Sequence, residues 1–157
     1  MALFVLGMKC VICSKPIDRP DRVALFRPFV SNECDPLWMF NDRAFHSSCV
    51  DEHPFGAKAR ARQKEVIELG APSARPCAVC NRIITSPDEF LPLGFFSEAG
   101  PLSRYNYLRF HRSCLPRWQD LTRFLNLFRA EVASGGMKGQ AIVALLKDLS
   151  GGRDEGK

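Results

Sequence analysis

The feature that most constrains this chain is a phrase written twice. "KCVICSKPI" at 9–17 precedes "DPLWMFNDRAFHSSC" at 35–49, and "PCAVCNRII" at 76–84 precedes "GPLSRYNYLRFHRSC" at 100–114. An offset of 67 aligns Cys10 with Cys77, Cys13 with Cys80, Ile17 with Ile84 and Pro20 with Pro87. Nearer the second phrase the offset is 65, which aligns Pro36, Leu37, Asn41, Phe45, His46, Ser48 and Cys49 with their partners. The chain is therefore an internal duplication with a two-residue length change inside the unit, and self-similarity of this kind governs the fold before any local pattern does.

A duplication also filters residues. Of seven cysteines and three histidines, eight recur as two sets of four: Cys10, Cys13, His46, Cys49 and Cys77, Cys80, His111, Cys114. Cys34 and His53 align with Ala99 and Trp118, so the shared design does not need them. Each set reads Cys-x2-Cys, a gap of about thirty residues, then His-x2-Cys. Zinc takes four tetrahedral ligands, and Cys3His is a closed structural set. A Cys-x-x-Cys knuckle brings two sulfurs together, and His-x-x-Cys places two ligands on one face of a helical turn. The expected cofactors are two structural zinc ions.

Three other chemistries fit less of the pattern. A thioredoxin-like pair needs only Cys-x-x-Cys and leaves the repeated His-x-x-Cys unexplained. Disulfides suit a secreted chain, whereas the opening "MALFVLGMK" lacks the basic region and apolar length of a signal peptide; the expectation is a reducing, cytoplasmic protein. A nucleophilic cysteine needs a free thiolate, and a filled tetrad has none. Cys34, between Glu33 and Asp35, reads as a small buried hydrophobe or a spare thiol.

The two phrases resemble the Cys-x2-Cys…His-x2-Cys modules of LIM, RING and treble-clef zinc fingers, in which an aromatic often precedes the histidine, as Phe45 and Phe110 do here. The resemblance covers Cys10–Cys49 and Cys77–Cys114. Neither unit carries the further cysteine pairs that bind a second zinc in LIM and RING, and both gaps are longer than the usual LIM gap. The resemblance implies a treble-clef-like or LIM-half-like unit: a knuckle, a hairpin, then a helix starting near the last two ligands.

The expected fold class is α+β, as small zinc-stapled units in tandem with an extra C-terminal helix. The boundaries read as 1–70 for the first unit, 71–134 for the second, 135–150 for the last helix and 151–157 for a polar, disordered tail. Units of this size rarely hold on apolar burial alone, so a metal staple is fitting. Residues 2–6 read as a short strand. Aromatic and β-branched runs at 22–30 and 37–45, and at 89–96 and 103–110, read as hairpin strands. Helices are expected at 57–69, with "GAPSARP" at 70–76 as the linker, from Cys114 to about 133, and at 140–149. The middle helix carries Leu115, Trp118, Leu121, Leu125, Phe128 and Val132 on one face, read as packing on its own hairpin or on the other repeat. No apolar run approaches the ~18 residues of a membrane span.

Net charge is +5, and the cations are concentrated late: ten basic and nine acidic residues over 1–70, twelve and eight over 71–157. Arginines outnumber lysines fifteen to seven, which suits phosphate or carboxylate recognition. Lys58, Arg60, Arg62, Arg104, Arg109, Arg112 and Arg117 are the candidate contacts to an anion or partner. Against a continuous stripe, Arg117, Arg123 and Arg129 point to three sides of a helix, and charge alone also fits a solvated face. The expected function is non-enzymatic: a zinc-stapled module that binds another protein, an acidic one being the natural counterpart of its cations, as an adaptor or an inhibitor of the immunity-protein kind. The alternative is a double finger that binds nucleic acid through its arginine-rich second half. A metal-dependent enzyme needs an open coordination position, and His53 alone is left over to serve as a base.

Overall fold

The computed structural model describes residues 4–70 and 76–150. By its internal contacts the chain divides into two units, Met1–Val30 with Asp35–Glu68, and Ser31–Cys34 with Leu69–Lys157. Each is α+β, built around one two-stranded antiparallel sheet. The 71–75 part of the expected linker and the expected tail at 151–157 lie outside the described residues.

In the first unit, residues 7–17 fold back on themselves. Gly7 N–H donates to Ile17 O at 3.0 Å, Ile17 N–H donates to Met8 O at 2.8 Å, and Lys9 bridges Pro16. The strand expected at 2–6 is not found among its described residues, 4–6. Met8 N–H bonds Val5 O at 3.0 Å, and Gly7 sits at φ +85, so this stretch closes a turn into the knuckle.

Strands β1 (Val23–Phe26) and β2 (Arg43–His46) pair from Val23↔His46 to Phe26↔Arg43. Both are shorter than the apolar runs containing them. Pro28 has no N–H to extend the ladder, and Pro36–Phe40 winds into a 3-10 helix whose first turn is capped by the Asp35 carboxylate, accepting from Leu37 N–H at 2.7 Å. Helix α1 (Ser47–Glu52) follows β2 directly, and α2 (Gly56–Gly70) follows after a corner. That corner requires glycine, because a Cβ on Gly56 would lie 1.7 Å from the Val50 carbonyl oxygen. Ile17, Phe26, Leu37, Phe40, Phe45, Val50 and Ala59 form the buried core.

The second unit repeats the hairpin in the same register. Strands β3 (Phe90–Pro92) and β4 (Arg109–His111) pair from Phe90↔His111 to Pro92↔Arg109, the positions that duplicate β1 and β2. The matched core positions Ile84, Leu93, Leu102, Tyr105 and Phe110 are likewise buried. The units diverge after the last ligand. Instead of one helix from Cys114, residues Arg112–Arg117 form a 3-10 helix containing Pro116, Trp118 is extended, and α3 starts only at Leu121 and runs to Ala133. Pro116 cannot donate into an α-helical ladder, and the turn closes by Trp118 N–H to Leu115 O at 3.0 Å.

Leu121, Phe124, Leu125 and Phe128 of α3 pack with Phe96, Tyr105 and Phe110 of the same unit. Helix α4 (Gln140–Ser150) adds Ile142 and Leu149 to that core, with Leu145 and Leu146 partly buried against it. The link between α3 and α4 is held by Ser31–Cys34. Asn32 Nδ2 donates to Gly136 O at 2.9 Å, its Oδ1 accepts from Lys138 N–H at 3.0 Å, and Glu33 N–H donates to Lys138 O at 3.0 Å.

Candidate metal centres

Each tetrad is assembled by a knuckle and the far end of the hairpin. In the knuckles, Cys10 N–H bonds Lys15 O at 2.9 Å and Ser14 N–H bonds Cys10 O at 2.8 Å; Cys77 N–H bonds Arg82 O and Asn81 N–H bonds Cys77 O, both at 2.9 Å. Ser14 and Asn81, the matched residues after the second cysteine, both take the left-handed conformation at φ 60 and 56. The turn directs both sulfurs of a knuckle to one point. The histidine ends β2 or β4, and the turn that follows brings the last cysteine beside it.

The result is two clusters, Cys10, Cys13, His46, Cys49 and Cys77, Cys80, His111, Cys114, in each of which the four ligand atoms lie within 4.8 Å of one another. The fit to zinc can be tested on the edges. Zn–S bonds of about 2.3 Å and Zn–N bonds of about 2.05 Å at the tetrahedral angle place S and N ~3.6 Å apart. His46 Nδ1 lies 3.3 Å from Cys13 Sγ and 3.8 Å from Cys49 Sγ; His111 Nδ1 lies 3.4 Å from Cys80 Sγ and 3.9 Å from Cys114 Sγ. Both tetrads therefore suit a structural zinc ion, bound through Nδ1. With Nδ1 turned to the sulfurs, Nε2–H of His46 donates to Pro16 O at 3.1 Å, the outer contact that orients a ligating imidazole.

The surroundings prepare the sulfurs unequally. Burial pushes the Cys10 thiol up, but backbone N–H groups of Cys13, His46 and Ile12, together with the His46 ring, bring it down to about 6. Burial, then hydrogen bonding to Cys13 and the charge of Cys10, push Cys49 up to about 12. In the second unit, burial of Cys77 is likewise overcome by backbone N–H groups of Cys80, His111 and Val79, and its thiol is lowered. The backbone N–H of Arg82 lowers Cys80, while burial raises Cys114 despite the Arg117 guanidinium. The first knuckle cysteine thus sits in a nest of backbone donors. The last cysteine of each set is instead pushed up, chiefly by burial.

The residues outside the tetrads find other work. His53 packs edge-on against Phe40 at 5.2 Å and 85°, as Trp118 packs on Tyr105 at 5.5 Å and 87°. Its Nδ1 accepts from Phe55 N–H at 3.1 Å. His53 is thus an aromatic wedge at the place where the second repeat has tryptophan. Cys34 is exposed, which corrects the expectation of a buried small hydrophobe; its Sγ–H donates to Gly135 O at 3.4 Å.

Of the seven candidate contact cations, Arg62 and Arg109 are buried, Arg62 beside Glu65 at 3.6 Å and Arg109 over the Phe90 ring at 5.6 Å. Arg60 pairs with Asp51 at 2.9 Å, Arg104 with Asp120 at 3.6 Å and Arg112 with Asp148 at 3.3 Å. Arg117 Nη2 donates to Cys114 Sγ at 3.2 Å. Lys58 is exposed on α2.

Two features went unread in the sequence. Asn41 and Asn106 recur, and their role is to close the hairpin: Asn41 Oδ1 accepts from Phe29 N–H at 2.8 Å and Val30 N–H at 3.0 Å, and Asn106 Oδ1 accepts from the matched Phe96 and Ser97 at 2.8 and 3.4 Å. The signal was the repeated asparagine itself. Arg82, whose side chain hydrogen-bonds Cys80, aligns with Lys15 and so does not recur between the repeats. Comparison with protein-family models, with curated proteins and with solved structures returned no match.

Proposed function

We propose that this is a non-enzymatic, cytoplasmic zinc protein whose work is to bind another protein, as an adaptor or an inhibitor of the immunity-protein kind, on two treble-clef-like units. The observation that carries this reading is how the chemically capable side chains are used. All eight recurring cysteines and histidines are gathered into four-donor sets. Such sets leave no position for a metal-bound water, and His53 is engaged in ring packing. The order knuckle, hairpin, helix in the first unit supports the treble-clef likeness; the second departs from it by its 3-10 turn after His111.

Protein is favoured over nucleic acid by the partners of the arginines. A phosphate-binding face presents unpaired cations, whereas Arg60, Arg104 and Arg112 each face a carboxylate and Arg62 and Arg109 turn inward. The exposed side chains Val5, Leu6 and Val11 at the first knuckle, with Leu25, Phe55 and Ile67 elsewhere in that unit, give the surface apolar anchors of the kind protein interfaces use.

The test is affinity capture of the tagged protein in its native cell, then reconstitution with the purified partner, beside titration with mixed-sequence DNA and RNA. A direct protein complex weakened by Val11→Asp or Ile67→Asp, with zinc content unchanged, supports the reading. Nucleic-acid binding that falls steeply between 50 and 200 mM salt, with no protein complex, overturns it.

A further inference from the structure

The two tetrads have the same ligands but not the same neighbours. Around a dication, three thiolates and a neutral imidazole leave a local charge of about −1. In the second unit two guanidinium groups meet that charge: Arg117 Nη2 donates to Cys114 Sγ at 3.2 Å, and the Arg82 side chain hydrogen-bonds Cys80. The duplication places Glu52 at the position of Arg117 and Lys15 at that of Arg82. The residue three places beyond the last ligand is thus an anion in one repeat and a cation in the other. Burial differs in the same direction, since Cys114 is 3% exposed while its counterpart Cys49 is only partly buried.

Hydrogen bonds to a metal-bound thiolate draw electron density from sulfur and reduce its reactivity, and a buried sulfur is also harder to reach. We propose that the first tetrad is a reactive zinc site, surrendering its zinc to soft electrophiles, while the second is a permanent staple. Repeat one then acts as an electrophile-sensitive switch carried beside a repeat that stays folded. Toward an α,β-unsaturated carbonyl, a zinc-bound thiolate uses its electron pair to form an S–C bond at the β-carbon. The C=C π pair moves into the enolate, which takes a proton from water. The thioether is a poor ligand, so the Zn–S bond breaks and zinc leaves a site reduced to three donors. A cysteine in the Cys49 position, partly exposed and followed by Glu52 rather than Arg117, is where this attack begins.

The experiment treats the two-zinc protein with limiting N-ethylmaleimide. Zinc release is followed by a chromogenic chelator, and native mass spectrometry with peptide mapping identifies which cysteines carry adducts. Cys34 is exposed and will react, but its adduct is not tied to zinc loss. The expected result is a one-zinc species with adducts on Cys49, Cys13 or Cys10, the first zinc leaving about tenfold faster than the second, equivalent to ~1.4 kcal/mol in barrier. Glu52→Arg should slow the first release, and Arg117→Glu should hasten the second, in proteins confirmed beforehand to hold two zincs. Equal release rates, earlier loss from Cys77, Cys80 and Cys114, or rates indifferent to both charge reversals would overturn the proposal. Failure to load two zincs would instead strike at the metal assignment.

Discussion

Replacing Asn41 with alanine isolates the hairpin device that the duplication preserved. Its Oδ1 accepts two backbone N–H groups, from Phe29 at 2.8 Å and Val30 at 3.0 Å, and both of those residues are more than nine-tenths buried. A net hydrogen bond contributes ~0.5–1.5 kcal/mol, whereas a buried donor left unpaired costs ~1–3 kcal/mol. With two donors stranded and some relaxation toward water, Asn41→Ala should destabilise the first unit by ~2–4 kcal/mol. The second unit has its own Asn106, bonded to Phe96, Ser97 N–H and Ser97 O, and should be unaffected. Guanidinium unfolding of the zinc-loaded protein, read from separate NMR cross-peaks of each unit, measures the two transitions. Asn41→Asp keeps an acceptor oxygen at that place and should recover much of the loss. A loss below ~0.5 kcal/mol for alanine, or equal losses for alanine and aspartate, would refute the reasoning, because the stranded donors are its whole basis.

Other outcomes follow from the same geometry. Tyr105 Oη is buried without a hydrogen-bond partner among the described residues, and the matched residue in the first repeat is Phe40, so Tyr105→Phe should be neutral or stabilising by up to ~1 kcal/mol in the same unfolding assay. Cys13→Ser and Cys80→Ser should each lower zinc from two per chain to one by elemental analysis, since the two tetrads share no ligand. Zinc uptake at the first tetrad should release protons at pH 7 and strengthen as pH rises. Cys10, at about 6, is already ionised there, while Cys49, at about 12 without metal, must give up a proton to bind; calorimetry in buffers of different ionisation enthalpy counts it.

Much of the fold was legible because the duplication separates structure from decoration. The ligands, the paired hairpins, the α2 and α4 spans and the apolar stripe of α3 all show as recurrence or periodicity. What misled was local propensity read without partners. Residues 4–6 look like a strand, but Gly7 and Met8 turn them into the knuckle. The stripe from Leu115 looks continuous, but Pro116 removes one backbone donor and Trp118 is spent on Tyr105 and Phe110, so the α-helix restarts at Leu121. Strand lengths were overestimated because 37–40 is apolar for the sake of burial while its backbone winds into a 3-10 helix.

By itself the sequence determined that eight residues of two types stand at matched spacing, and zinc geometry makes that pattern hard to satisfy in any other way. Only the tertiary structure decided what surrounds those ligands. Arg117 reads as a candidate anion or partner contact and lies on Cys114 Sγ; Arg109 and Arg62 read the same way and are buried; His53 reads as left over from the shared design and is a ring in an aromatic cluster. Ligand sets are local in composition and so survive in one dimension. The charge environment of a site depends on which distant side chains fold onto it, through distances that no spacing along the chain encodes.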